Sequence, residues 1–226
     1  MRLREKAVGH PPRLLVVAAV AAEADAISAG LGAGDDTITV IAGGVGPAGA
    51  AAATTRALVL AAEHTTPYSV VVSVGIAGGF SGRVDVGATV LATTAVAADL
   101  GAETPDGFLS VADLNFGQSI MECDAEALAA LRKALPDAVT GAVLTVSTVT
   151  GTAERAAVLR ERHPDAVAEA MEGFGVATAA HQCGVAFAEL RAISNLIGPR
   201  DRAAWRIADA LAALRQAGTS LASLVK

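Results

Sequence analysis

Four short stretches concentrate the residues that could do chemistry. AAVAAEAD ends a Val-rich run and carries Glu23, a carboxylate able to act as a general base. GIAGGF, Gly75 to Phe80, offers backbone amides that a ligand can approach closely, Ala77 and Gly78 among them. AMEGFGVA sets Met171 and Glu172 at the start of a helical pattern. A carboxylate there has two acceptor oxygens, enough for both hydroxyls of a cis-diol. ELRAISNLIGPRD begins as an apolar strand, breaks at Ser194-Asn195 and continues to Arg200 and Asp201. Strand ends are where ligands bind in α/β proteins. Arg191 sits inside the apolar part of that run and needs a buried acid partner, which Glu189 or Glu172 could supply.

Each stretch also has a plainer reading. Glu23 could be a solvated glutamate favoured by the helix dipole. GIAGGF could be a tight turn after a strand. Glu172 could open a helix beside a core methionine, and Trp205 could be a core residue of the last helix. A fifth motif, GGVGPAG, has the Gly44-x-Gly46-x-x-Gly49 spacing of a dinucleotide loop. It follows the second strand and not the first, and Glu63, about twenty positions on, closes a helix instead of ending a strand. Pro47 is equally explained as the first residue of a helix.

The elements that must position these residues alternate. Strand candidates are 14–20, 37–43, 69–75, 88–96, 142–148 and 185–194. Helix candidates are 22–31, 47–62, 124–135, 152–162, 170–183 and 203–224. Residues 97–121 read as a long loop with partial strand character. The alternation predicts a single α/β domain over 13–226, with a central, mostly parallel, twisted mixed sheet flanked by helices. Residues 1–12 read as a disordered leader. Basic residues before LLVVAAVAA imitate a secretory signal, but the pattern that follows continues the α/β fold, so the run reads as the first strand.

Composition excludes several function classes. Hydrophobic residues make up 53% of the chain and aromatics 3%, so the core is built from Ala, Val and Leu. Net charge is −6 with no extended basic run, which argues against nucleic acid as a partner. No run reaches membrane-spanning length without a charge. Cys123 and Cys183 form no C-x-x-C, consistent with reduced thiols and a cytoplasmic location. The four histidines are isolated from one another, so no metal site and no cofactor is expected.

Taken in order, Glu23, GIAGGF, AMEGFGVA and RAISN resemble the nucleoside phosphorylase and nucleosidase superfamily, from about residue 14 to the last helix. The family's three-layer α/β fold is implied. So are a water-activating role for Glu23, ribose binding by Glu172, sugar or base packing by Met171, and purine recognition at Asn195. Adenine-cleaving members carry Asp where this chain has Asn195. An amide suits a 6-oxopurine, because it donates through its NH₂ and accepts through its carbonyl. The phosphate-binding Gly-Asp-Pro segment of the phosphorylases is absent, which points to water as the nucleophile. TVTGT, 148–152, stands where adenine-cleaving members stack a Phe on the base. Trp205 falls where relatives place an aromatic over the 5′ substituent, with Arg200 or Arg202 as cations for a carboxylate tail. These departures are similar to those of the futalosine hydrolases, which cleave the hypoxanthine–ribose bond of futalosine in the menaquinone pathway. The resemblance implies a small-molecule nucleoside substrate and a homodimer or larger homo-oligomer. Another purine nucleosidase or phosphorylase, or a non-catalytic dinucleotide-binding module, are the competing readings.

Overall fold

The computed structural model describes residues 12–31 and 36–225. Most of the expected 1–12 leader therefore lies outside the described residues. The first run, LLVVA, forms β1 (Leu14–Ala18), which is buried on both faces. It pairs in parallel with β2 (Ile38–Ala42) on one side and with the start of β3 (Val70–Gly79) on the other. A strand with two neighbours and helices on both faces has no wet side, which explains its unbroken apolar sequence.

Helix α1 (Ala21–Leu31) follows β1 directly, and α2 (Pro47–Glu63) starts at Pro47 as expected. β4 (Thr89–Ala97) leads into a region that is less loop-like than its polarity predicts. It contains the β5 (Gly101–Thr104) and β6 (Gly107–Ser110) hairpin and a short strand, β7 (Ile120–Glu122), paired with β4. Helix α3 (Ala125–Ala134) is capped by Asp124, whose carboxylate accepts from the amides of Glu126 and Ala127. β8 (Val139–Thr145) and α4 (Ala153–Arg162) follow, the latter capped by Thr152.

The largest departure from the sequence pattern comes next. Residues 166–170 form β9 (Ala166–Ala170), and α5 starts only at Gly173 (Gly173–Gln182). Alanine-rich AVAEA has little strand propensity, and it becomes a strand because β8 and β3 both offer it an edge. β10 (Ala186–Leu196) runs two residues beyond its expected end. The last helix is shorter than expected: a 3₁₀ turn, Arg202–Ala204, precedes α6 (Ile207–Leu221). Trp205 lies between these two elements and not inside a helix.

The sheet is mixed. β1, β2, β3 and β10 run one way, while β4, β8 and β9 run the other. The pairings β3–β10–β4–β8–β9 return to β3, so five strands close into a ring, with β1 and β2 extending from it. One apolar layer packs under α2 and α5. A second packs under α1, α3 and α6.

His163 ends α4 and is half-buried. Burial, reinforced by the neighbouring Arg162 charge, pushes its pKa down to about 4. Below the ordinary value of 6.5 the unfolded imidazole binds a proton that the folded one refuses until about pH 4, so this group lowers stability as pH falls through that window. His163→Gln is expected to make the fall in thermal midpoint between pH 6.5 and 4 shallower, as measured by circular dichroism melts.

Candidate active site

The site forms where two neighbours of β3 part. On one edge of β3, β1 pairs as far as Ser73 and β9 begins at Gly78. Between them that edge has no strand partner, so its amides need other acceptors. Glu23 provides one. Its Oε1 accepts from the amide of Ile76 at 2.8 Å, and its Oε2 accepts from the amides of Ala19 at 3.0 Å and Val20 at 3.3 Å. Glu23 is 4% exposed, so the solvated-glutamate reading is excluded.

Beside it lies Arg191, which is fully buried on β10. Its Nε donates to Glu189 at 2.9 Å, one terminal nitrogen to Glu172 at 3.2 Å, and the other to the Ser73 hydroxyl at 2.9 Å. Both expected acid partners are therefore present. Ser73 was not anticipated, although it is the lone polar residue in the run VVVSV and that singularity marks it. Burial works against the guanidinium charge, but Glu189 and Glu172 outweigh it and hold the pKa of Arg191 above its ordinary value. Burial pushes the Glu189 carboxyl upward, against the pull of Arg191, and its Oε2 has no hydrogen-bond partner.

Glu172 connects this cluster to the glycine-rich loop. Its Oε1 accepts from the amide of Gly46 at 3.2 Å. The GGVGPAG segment thus packs on the glutamate, and one of its amides is already taken. Glu172 sits between β9 and α5 as the residue before the helix, with no side-chain cap bond. Met171 is half-buried beside it, and its amide donates to Glu172 at 3.3 Å.

The GIAGGF stretch does not form a turn after β3. Gly75 to Gly79 are the strand's last five residues. Gly75 is required by its neighbours, because a Cβ there would lie 2.7 Å from Arg191 Nη1 and 2.8 Å from Glu23 Oε1.

Three residues further along β3, at Gly78, the character changes. A cleft is lined by Gly78, Thr150, Glu169, Asn195, Arg200 and Trp205, among others. Asn195 lies at a register shift in β10, opposite Gly78. Its Nδ2 donates to the Leu196 carbonyl at 3.0 Å, and its Oδ1 accepts from the Ser194 hydroxyl at 2.8 Å. A carbonyl oxygen only accepts, so the Leu196 contact fixes which end of the amide is NH₂ and leaves one N–H free. The guanidinium carbons of Arg200 and Arg202 lie 5.6 and 5.8 Å from the Trp205 ring centre. Ala77 is buried, and its carbonyl faces the Ser194 hydroxyl at 3.3 Å. All eight expected site residues thus fall along the last five residues of β3 or its flanking segments. The sequence reading missed Glu169, a buried carboxylate on the strand it did not foresee.

The model of the phosphorylase superfamily matches residues 19–226. The chain is 52% identical to futalosine hydrolase of Streptomyces coelicolor, over 94% of this chain and 96% of that protein. It is 44% identical to futalosine hydrolase of Acidothermus cellulolyticus, over 92% and 89% respectively. The chain belongs to the futalosine hydrolase family. Solved structures agree on the fold of this family. A methylthioadenosine/S-adenosylhomocysteine nucleosidase from Colwellia psychrerythraea in complex with adenine aligns with a TM-score of 0.78 at 21% identity, over 96% of this chain and 97% of that one. Futalosine hydrolase of Helicobacter pylori aligns with a TM-score of 0.77 at 18% identity, over 95% and 97%.

Two outcomes test the site's internal construction. Arg191→Met should leave Glu189 and Glu172 buried without their cation and lower stability by about 3–5 kcal/mol, read from urea unfolding. Gly75→Ala should force Glu23 and Arg191 apart. An overpacked core residue costs about 1–3 kcal/mol, and here the loss of activity should exceed what that destabilisation explains.

Proposed function

We infer that the protein hydrolyses the N-glycosidic bond of futalosine, releasing hypoxanthine and the dehypoxanthine product of the menaquinone pathway. The near full-length similarity to two futalosine hydrolases carries this reading. The site's division into a carboxylate-rich end and an amide-bearing cleft supports it.

The roles follow from chemistry. Glu23, oriented by three backbone amides, takes a proton from water as the oxygen attacks the anomeric carbon. The C–N bond breaks and its electron pair leaves with the purine. Glu172 accepts from the 2′- and 3′-hydroxyls, with Met171 against the sugar. Three glutamates, Glu23, Glu172 and Glu189, surround the single Arg191 cation. This excess of carboxylates favours an oxocarbenium-like transition state. The free N–H of Asn195 stabilises negative charge developing at N7 or O6 of the base. Ile76 and Gly78 stand two residues apart on β3, about 7 Å, a span suited to a sugar at one end and a purine at the other. Ala77 and Gly78 line the path between them. Trp205 and Arg200, expected over the 5′ substituent, line the same cleft as Asn195 and so stand at the base end of the site.

The same reading makes the protein a cytoplasmic homodimer or larger assembly. Phe116, 83% exposed, with Ile120 and Leu109 on the segment around β5–β7, provides an apolar face that an assembly would cover.

A chromatographic assay with futalosine, aminofutalosine, inosine and methylthioadenosine, with and without phosphate, tests the function. Hypoxanthine release from futalosine independent of phosphate is expected. Phosphate-dependent formation of a sugar 1-phosphate would make the protein a phosphorylase instead. Glu23→Gln should lower kcat by about 10²–10⁴-fold, more than the stability lost by turning its NH₂ toward a backbone donor explains. Asn195→Asp should shift preference toward 6-amino substrates, and an unchanged ratio of futalosine to aminofutalosine turnover would remove the role given to Asn195.

A further inference from the structure

The cleft has a second polar wall that this assignment leaves unused. Gly78 of β3 is in register with Glu169 of β9 on one side and with Asn195 of β10 on the other. Residues in one cross-strand row share a face of the sheet. Glu169 and Asn195 therefore flank a residue without a side chain, two strand spacings or about 10 Å apart. Gly78 makes a flat floor between two polar walls, and a Cβ there would lie 2.9 Å from Ile197 and 3.5 Å from Asn195 Nδ2.

Glu169 is 5% exposed, and no ion pair forms with it among the described residues. Its two oxygens accept from the amide and hydroxyl of Thr150 at 2.8 and 2.6 Å. These bonds anchor the carboxylate and leave each oxygen a further lone pair. Neutral donors and the charge of Arg155, which forms no ion pair with it, do not offset its burial, so a purely structural tie to Thr150 is a costly use of a glutamate. Burial does push its carboxyl above the ordinary pKa, against the pull of those Thr150 bonds.

A 6-oxopurine presents two different groups beside its exocyclic oxygen. N7 is an acceptor, and N1 carries a hydrogen. The free N–H of Asn195 suits N7, on the imidazole side of the base, and its carbonyl, which accepts from Ser194, then lies on that side as well. The ring N1–H, on the opposite side of O6, is left needing an acceptor. We propose that Glu169 accepts the N1–H of the 6-oxopurine from across the Gly78 floor and is, with Asn195, the residue pair that determines base specificity. This rests on the purine nucleosidase reading above. A 6-aminopurine turns a lone pair toward the same carboxylate and is repelled.

The test measures binding of free bases by calorimetry, independent of turnover, with hypoxanthine release from futalosine by the wild type as a separate arm. Wild type should bind hypoxanthine about 10- to 100-fold more tightly than 1-methylhypoxanthine, the range for a hydrogen bond to a charged group. In Glu169→Ala that gap should collapse. In Glu169→Gln, whose amide can donate to an unprotonated N1, the preference for hypoxanthine over adenine should fall. Glu169→Gln keeps the size and a Thr150 contact, so it answers the question should the alanine variant fail to fold. The proposal is overturned if both bases bind wild type equally, or if the variants keep wild-type ratios while losing affinity for all ligands alike. Absence of hypoxanthine release by wild type would instead sink the functional reading itself.

Discussion

Everything at the carboxylate-rich end of the site depends on a guanidinium with no access to water. Arg191 is fully buried and spends its donors on Glu189, Glu172 and Ser73, which come from three different segments of the chain. Buried ion pairs are poor sources of net stability, because desolvation cancels most of the attraction. What such a network does supply is geometry. Arg191 holds Glu172 at the exit of β9, and Glu172 in turn holds the Gly46 loop, so β10, β9 and the loop before α2 are aligned by one planar cation. Glu23 completes the arrangement from the β1 side, sharing with Arg191 the space that the missing side chain of Gly75 leaves.

The position of this cluster follows from strand topology. β1 leaves the edge of β3 after Ser73, and β9 joins it at Gly78. A sheet that changes neighbours along one strand exposes backbone amides at the change, and a carboxylate can take them. The polar chemistry is thus concentrated where the ladder is interrupted. The two ends of the site differ because they face different strands: carboxylates gather beside the departing β1, and a mixed amide and carboxylate pair gathers beside the arriving β9.

Much of this was legible in the chain. Buried β1 and β3 announce themselves as unbroken Val and Leu runs, and Arg191 within an apolar strand announces its acid partners. The break at Ser194-Asn195 reads as a strand end, and Asn195 does lie in the cleft opposite Gly78. What stayed hidden was β9. Its AVAEA sequence has no alternation and weak strand propensity, and its pairing partners lie about 25 and 90 residues away in the chain. Without β9 there was no reason to set Glu169 beside Asn195. The extension of β3 through Gly79 was hidden for a related reason. Glycines read as a turn, yet here their missing side chains leave room for Arg191 and Glu23 at Gly75 and for Ile197 at Gly78. Trp205 fell into a helix by pattern, because the break before α6 comes from a 3₁₀ turn capped by the Asp201 side chain, a local bond with no periodic signature.

The closed ring of strands also bears on how copies of this chain can meet. Five strands whose pairings return to their start give every one of them a neighbour on each side, although the β10–β4 and β3–β9 pairings are short. Among the described residues the remaining edges are five-residue β2, three-residue β7 and the four-residue strands of the β5–β6 hairpin. A chain so rich in Val and Ala would otherwise be a template for runaway strand addition. Here most of the hydrogen-bonding groups that strand addition needs are consumed internally.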